Sequence, residues 1–353
     1  MRKYLLVCLL SLAMFGCGSS EKRDVPVVKE YELKHKFYKE LIIRSPRLSV
    51  LGDYLIVSSS SERDTVCRFY AIDKNMEEVA GYGRIGQGPG EFVQPRLTYT
   101  DGNEFAMNDI NHGVLAILAV SEKDGKLDVK EVKRLKGEWK PKKGEITPRD
   151  YEYKKIGDSH FVSKLMAGEG RFFNLVDSAL VPVHSFGKSP IKDDVDIMVV
   201  SNRLQGQMHV YKDKMFFGTR ELPYLASYTL RDGKMVNDWS IYYDTPHYAV
   251  SNGDIKFSRE SSKGPLFSLQ ADDNYIYLLY RDRLLWELET GKSGRYSNEI
   301  FVFNHQGEKV VKLKLDCNLD HIVIDRKRNK LYGIALMPDD ALVEFDLPKE
   351  LWK

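Results

Sequence analysis

The chain is short of long apolar runs. The one near the amino terminus, Tyr4 to Phe15, is about twelve residues, whereas a helix crossing a bilayer needs ~20, so this segment is not expected to span a membrane. Net charge is equally scarce: 53 Lys and Arg stand against 51 Asp and Glu, and a nucleic-acid binder needs a clear basic excess to neutralise phosphates. Only four cysteines occur, with no Cys-x-x-Cys, and the eight histidines are scattered without a His-Glu-x-x-His. No spacing of metal ligands is visible. There is no Gly-x-Ser-x-Gly elbow, no paired-carboxylate motif and no convincing amphipathic helix. The sequence therefore names no catalytic residue, no metal and no cofactor.

What is present begins with an address. Met1-Arg2-Lys3 is a positive start to the apolar run, and Met14-Phe15-Gly16-Cys17 follows it, the organisation of a secretory signal peptide. The stretch resembles the lipobox of bacterial lipoproteins, in which a small residue precedes a cysteine that is acylated and exposed by cleavage; Met14 stands where leucine is more usual. The expected organisation is a leader over 1–16, a lipidated Cys17 with a flexible polar tether to residue 26, and a folded body over 27–353. One acyl chain holds a membrane only marginally, but two or three hold it durably. Loss of Arg2 and Lys3 with the leader leaves 51 basic residues against 51 acidic. Two local basic clusters, Lys130 to Lys143 and Arg326 to Lys330, read as solvated turns.

The body repeats itself. A short alternating strand, a tight turn carrying an aspartate and a second alternating strand recur around Asp53, Asp101, Asp158, Asp213, Asp272 and Asp325. This is the pattern of a hairpin. Most copies are followed by a second hairpin, as at Arg68 to Val79, at Leu225–Leu230 with its turn at Arg231-Asp232-Gly233, and at Ile300–Phe303 with Gln306-Gly307. Two hairpins make a four-stranded unit, and the aspartates lie 48 to 59 residues apart, near the ~40–50 of propeller blades. Six such units between Ser45 and Pro348 imply an all-β fold, a six-bladed β-propeller of four-stranded antiparallel blades. An isolated blade exposes both faces, and ring closure covers them. Two β-sandwiches are the alternative, against which stand six equivalent units without a linker. Val27 to Ile43 also alternates and is expected to add an outer strand to the last blade, closing the ring. Cys67 and Cys317 would then fall in the first blade and at the start of the last, making them the candidate disulfide of an oxidising compartment.

The most distinctive stretch is Gly83-Arg84-Ile85-Gly86-Gln87-Gly88-Pro89-Gly90-Glu91-Phe92, with Pro95 beyond it. A phosphate-binding glycine loop needs a helix immediately afterwards, and the two prolines preclude one. It reads instead as a blade-to-blade connector, with Phe92 plugged between blades.

This Gly-Pro-Gly-Glu-Phe connector resembles that of NHL-type repeats. With Asn298-Glu299-Ile300-Phe301-Val302-Phe303, Gly307-Glu308, Leu313, and Ile324-Asp325 before Lys330-Leu331-Tyr332-Gly333, the chain looks like the six-bladed, TolB-like propeller lipoproteins abundant in Gram-negative gut anaerobes. The resemblance implies an outer-membrane location, periplasmic or surface-facing, and protein binding through one propeller face. Fold alone does not set function. In such a ring the connectors gather on one face, which puts Arg84, Glu91 and Arg96 there, with Arg203 and Lys263 near later connectors. These five are the candidate binding residues for an envelope protein partner. Two alternatives follow from composition. Twenty tyrosines with Trp139, Trp239 and Trp286 suit glycan stacking, although aromatics also fill strands and blade gaps. A metal-dependent hydrolase or lactonase would need carboxylates converging on the channel; the six turn aspartates are the temptation, yet turns favour Asp for backbone hydrogen bonding.

Overall fold

The structure, a computed structural model, describes residues 28–41, 46–60, 63–124, 126–137, 149–166, 171–191, 195, 199–200, 203–264, 268–281, 283–284, 287, 297–336 and 340–352. The leader, Cys17, Trp139 and Trp286 lie outside these residues. Among the described residues no helix is long and apolar enough to cross a membrane.

The first two strands are β1 (Lys29–Leu33) and β2 (His35–Glu40). A four-stranded antiparallel sheet follows, formed by β3 (Arg47–Leu51), β4 (Tyr54–Ser58), β5 (Cys67–Ala71) and β6 (Glu77–Tyr82). A second contains β7 (Pro95–Asp101), β8 (Glu104–Asp109), β9 (Val114–Lys123) and β10 (Lys126–Lys136). The third has β11 (Arg149–Ile156), β12 (His160–Met166), β13 (Phe173–Val176) and β14 (Pro182–Phe186). The fourth has β15 (Gly206–Tyr211), β16 (Lys214–Thr219), β17 (Tyr224–Arg231) and β18 (Lys234–Tyr242). A small hairpin, β19 (Tyr248–Ser251) with β20 (Asp254–Phe257), and a short pair, β21 (Lys263–Gly264) with β24 (Arg283–Leu284), decorate the next unit. The remaining strands share one eight-stranded sheet: β22 (Ser268–Ala271), β23 (Tyr275–Tyr280), β25 (Ser297–Asn304), β26 (Lys309–Asp325), β27 (Lys330–Leu336) and β28 (Asp340–Asp346), joined by β1 and β2.

The sheets stand in a propeller arrangement. Their first strands contact one another in the order β3, β7, β11, β15, β22 and β26, and β26 returns to β3. The recurrent aspartate turns are the first hairpins of these units, with Gly52 (φ +59°) and Gly102 (φ +58°) supplying the left-handed residue beside Asp53 and Asp101. Apolar residues on both sheet faces give a core divided among neighbours. Phe92, fully buried, packs with Phe69 of the first sheet and Phe105 and Met107 of the second. Leu48, Tyr70, Tyr332 and Leu342 join the last strands to the first sheet.

Strand β26 serves two neighbours. Its first part pairs with β25 and its second, from Leu319 to Asp325, with β27. The amino-terminal segment divides in the same way. β1 lies parallel to Val311–Leu315, while β2 adds antiparallel to β28, the outer edge beyond β27. The expected closing strand is therefore present, with an extra strand ahead of it. One basic cluster differs from expectation. Lys130 to Lys136 lies in strand β10 rather than in a turn, whereas Arg326 to Lys330 is a turn whose charges are used internally. Arg328 bonds Asp53 at 2.6 Å, Asp73 at 3.0 Å and Asp325 at 3.0 Å, tying the last hairpin to the first sheet.

Candidate functional site

The first strands enclose a central cavity of about 420 Å³. Its wall near the strand starts is unusually basic. Arg47 opens β3 and Arg96 occupies the second position of β7, each within a Pro-Arg-Leu sequence (Pro46-Arg47-Leu48 and Pro95-Arg96-Leu97). Lys154 projects from β11 into the same cavity, and its Nζ donates to the carbonyl of Thr98.

Glu152 organises this cluster. It sits at an irregularity of β11, between Tyr151 and Tyr153, with a left-handed backbone (φ +56°) that a non-glycine residue seldom adopts. The strain is held by Asn108, fully buried on β8, whose Oδ1 accepts the Glu152 backbone N–H at 2.7 Å while its Nδ2 donates to the Val114 carbonyl at 2.9 Å. Such outliers persist where surrounding structure over-determines them, and they cluster at functional sites. The buried carboxylate accepts from Lys164 Nζ at 2.7 Å and lies 3.4 Å from Arg96. Lys164 also donates to the Gly206 carbonyl at 2.6 Å, so one carboxylate links three consecutive sheets.

Electrostatics follow from this crowding. Burial alone would raise the Glu152 pKa, but Lys164, Lys154 and Arg96 override it and bring the carboxyl down to about 2. For Lys154 burial dominates, assisted by the Lys164, Arg47 and Arg96 charges, and lowers the ammonium to about 8 despite Glu152. Burial, then the charge of Arg96, also lowers Arg47, whose opposing carboxylates are Glu152 and Asp320. Asp320, at another irregularity in β26, is raised by burial against the pull of Arg47, Arg281 and Arg220. Among the described residues no hydrogen-bond or ion-pair partner reaches the Arg47 guanidinium. His209 and His321 complete the wall. Burial, with Lys154 beside one and Arg47 beside the other, holds both near 3, so they are neutral at physiological pH. The site is a polar cavity with surplus positive charge, suited to an anion.

The five candidate connector residues do not converge. Arg84 and Glu91 come together, 3.7 Å apart, with Arg84 largely exposed and Glu91 turned into the connector. Glu91 accepts the Gly88 N–H at 2.8 Å, and a side chain at Gly86 would collide with its carboxylate. Arg96 alone of the five lines the cavity. Arg203 pairs with Asp254 at 3.3 Å, and Lys263 with Asp244 at 3.1 Å beside Tyr280. They belong to different units and take different partners, which connector spacing does not reveal. Sequence reasoning passed over Arg47, Glu152, Lys154 and Lys164; the doubled Pro-Arg-Leu was the available signal.

Other expectations find structural answers. Asp53 and Asp101 pair with Lys327 and Lys155 of adjoining units. Asp272 accepts the backbone N–H groups of Asn274 and Tyr275, both at 2.9 Å, so these turn aspartates act as staples and turn caps. Trp239 donates its Nε1–H to the His305 carbonyl at 2.8 Å and covers Gly307, a packing role. The candidate disulfide is not formed, since Cys67 and Cys317 are both free thiols. The reason is position. Cys67 is buried between the first and second sheets with its Sγ 3.4 Å from Met107 Sδ, whereas Cys317 packs against the apolar cluster of β25 to β28.

No protein-family model matches the sequence, and no curated protein matches it either. Solved structures resemble the fold at low identity. BamB from Moraxella catarrhalis shares 12% identity at a TM-score of 0.37, over 85% of this chain and 69% of that one. A luciferin-regenerating enzyme gives 10% and 0.46, over 88% and 92%. The β-propeller domain of Cps50 (Swd1) from Myceliophteria thermophila also gives 10% and 0.46, over 89% of this chain and all of that one. The propeller arrangement itself rests on the strand pairing and the closed order of first strands.

Proposed function

We propose that the chain is a noncatalytic binding module of the bacterial envelope, a six-bladed TolB-like propeller tethered at the outer membrane through lipidated Cys17, which receives an acidic segment of a protein partner at the basic mouth of its channel. The six-blade reading treats the eight-stranded sheet as two blades sharing β26, and is supported by the six first strands that meet around the centre. The lipobox-like Met14 to Cys17 supports the anchor. The observation that carries the binding role is Arg47, a cavity-lining cation with no contacting counter-ion among the described residues, beside Arg96 and Lys154. An incoming carboxylate would supply the missing partner, and a charge-assisted hydrogen bond contributes about 1.5–3 kcal/mol.

In-cell crosslinking followed by mass spectrometry tests this. One dominant protein is expected with the unmodified chain, and Arg47→Glu should reduce its capture by about ten- to a hundred-fold, the equivalent of one such contact. Arg84→Ala, outside the channel, should retain it. Binding of the purified partner should also weaken between pH 7 and pH 9, because Lys154 loses its proton near 8. A folded Arg47→Glu protein that keeps its full complement of partners would sink the assignment.

A further inference from the structure

Where the amino-terminal strands cross from the β26 edge to the β28 edge, three side chains of metal-binding chemistry meet. The His35 nitrogen, an Asp316 oxygen and the Cys317 sulfur all lie within 4.8 Å of one another. His35 and Asp316 are 281 residues apart in sequence and are already aligned. The His35 backbone N–H reaches Asp316 Oδ1 at 3.1 Å, and its ring Nδ1 lies 2.9 Å from the same oxygen. His35 and Asp316 are partly solvent-accessible, so an ion has a path in. Cys317 is half-buried.

We infer that His35, Asp316 and Cys317 form a site for a divalent transition metal of the zinc class. Imidazole, carboxylate and thiolate together suit Zn²⁺, whereas Mg²⁺ and Ca²⁺ prefer oxygen alone. At metal–ligand distances of about 2.0–2.3 Å, tetrahedral ligand atoms stand roughly 3.3–3.7 Å apart. The three ligand atoms, within 4.8 Å of one another, would adjust to that spacing on binding, with water as fourth ligand. Binding displaces the thiol proton to solvent and forms a metal–sulfur bond; no oxidation change is involved.

The location gives the ion a job. β1 and β2 are joined at Lys34, and β26 passes from its β25 partner to its β27 partner just beyond Cys317. A metal here would clasp the two crossing segments and lock ring closure.

The test uses metal-free full-length protein titrated with Co²⁺. One equivalent is expected to give a thiolate-to-cobalt charge-transfer absorption that Zn²⁺ bleaches by competition. Cys317→Ser should abolish the band, and His35→Ala should weaken Co²⁺ binding at least tenfold. Cys17→Ser and Cys67→Ser should retain it. Circular dichroism and urea midpoints of the metal-free variants, matched to the parent, establish that they fold. Zn²⁺ should raise the parent's urea midpoint and leave that of Cys317→Ser unchanged. Absence of the band, or its survival in folded Cys317→Ser, overturns the site.

Discussion

Glu152→Gln is expected to destabilise the protein by about 3–5 kcal/mol, the cost of leaving buried cations without their counter-charge. The amide keeps the carboxylate's shape, so the loss is electrostatic rather than steric. Lys164, whose Nζ lies 2.7 Å from Glu152, keeps the Gly206 carbonyl and Lys154 keeps the Thr98 carbonyl, but these neutral acceptors leave the clustered charges of Lys164, Lys154 and Arg96 without the anion that offsets their repulsion. A loss of that size is a large fraction of the roughly 5–15 kcal/mol by which domains are stable. Urea unfolding should show a lower midpoint with an unchanged slope, the mark of altered stability rather than altered compactness.

The pH dependence supplies a second readout. The carboxyl is held at about 2, below its ordinary 4.5. The unfolded chain therefore binds a proton that the folded chain does not between those values, and stability rises with pH across the window. Glu152's contribution is full above about 4.5 and disappears as the pH falls toward 2. That acid limb should flatten in Glu152→Gln. A variant as stable as the parent at pH 7, with the same acid limb, would show that the cluster does not depend on this carboxylate.

Deletion of residues 1–40 should produce a comparable loss through a different cause. It removes β1 and β2, and with them the antiparallel ladder on β28, whose pairs include His35 with Phe345 and Phe37 with Val343. Tyr31 and Leu33 leave one apolar cluster and Tyr38 another. Partial burial of three such side chains is worth roughly 3–6 kcal/mol. The deletion also bares the β28 edge, and an unprotected edge strand templates pairing with other chains. The shortened protein should unfold at lower urea and self-associate with increasing concentration in sedimentation. A synthetic peptide of residues 28–41 should restore much of the midpoint. If the deletion left both stability and sedimentation unchanged, β2 would not be what closes the last sheet.

Much of the fold was legible because strands and hairpin turns are local. Alternation in Leu48–Val57 or Met208–Phe217 places side chains on two faces whatever the rest of the chain does, and Gly52 or Gly102 beside an aspartate allows the tight reversal. The alternation of residues 27–43 likewise marked an added strand, although its division between two sheet edges was not visible. Phe92 was readable as a plug because a lone aromatic follows a glycine-rich connector.

The candidate site was largely hidden. Glu152 and Lys154 sit among tyrosines in an ordinary alternating strand, and nothing local says that a bulge turns Glu152 toward the axis. Arg96 belonged to the connector group, but its partners are Glu152 and, through it, Lys164, 56 and 68 positions away in a different sheet. Cys67 and Cys317 failed as a disulfide for the same reason, since membership of the first and last units leaves open which faces they occupy.

The sequence by itself determined the strands, the turns, the repeating unit and the class of architecture, because these follow from period-two patterning and from turn chemistry within a few residues. The tertiary structure alone decided which charges meet. Closing the ring brings Arg47, Arg96, Glu152 and Lys154 together around one cavity, with Lys164 against Glu152, and crossing strands bring His35 to Asp316 and Cys317. Such contacts depend on ring order, register and bulge position across hundreds of residues, and a one-residue change of register would point each side chain the other way.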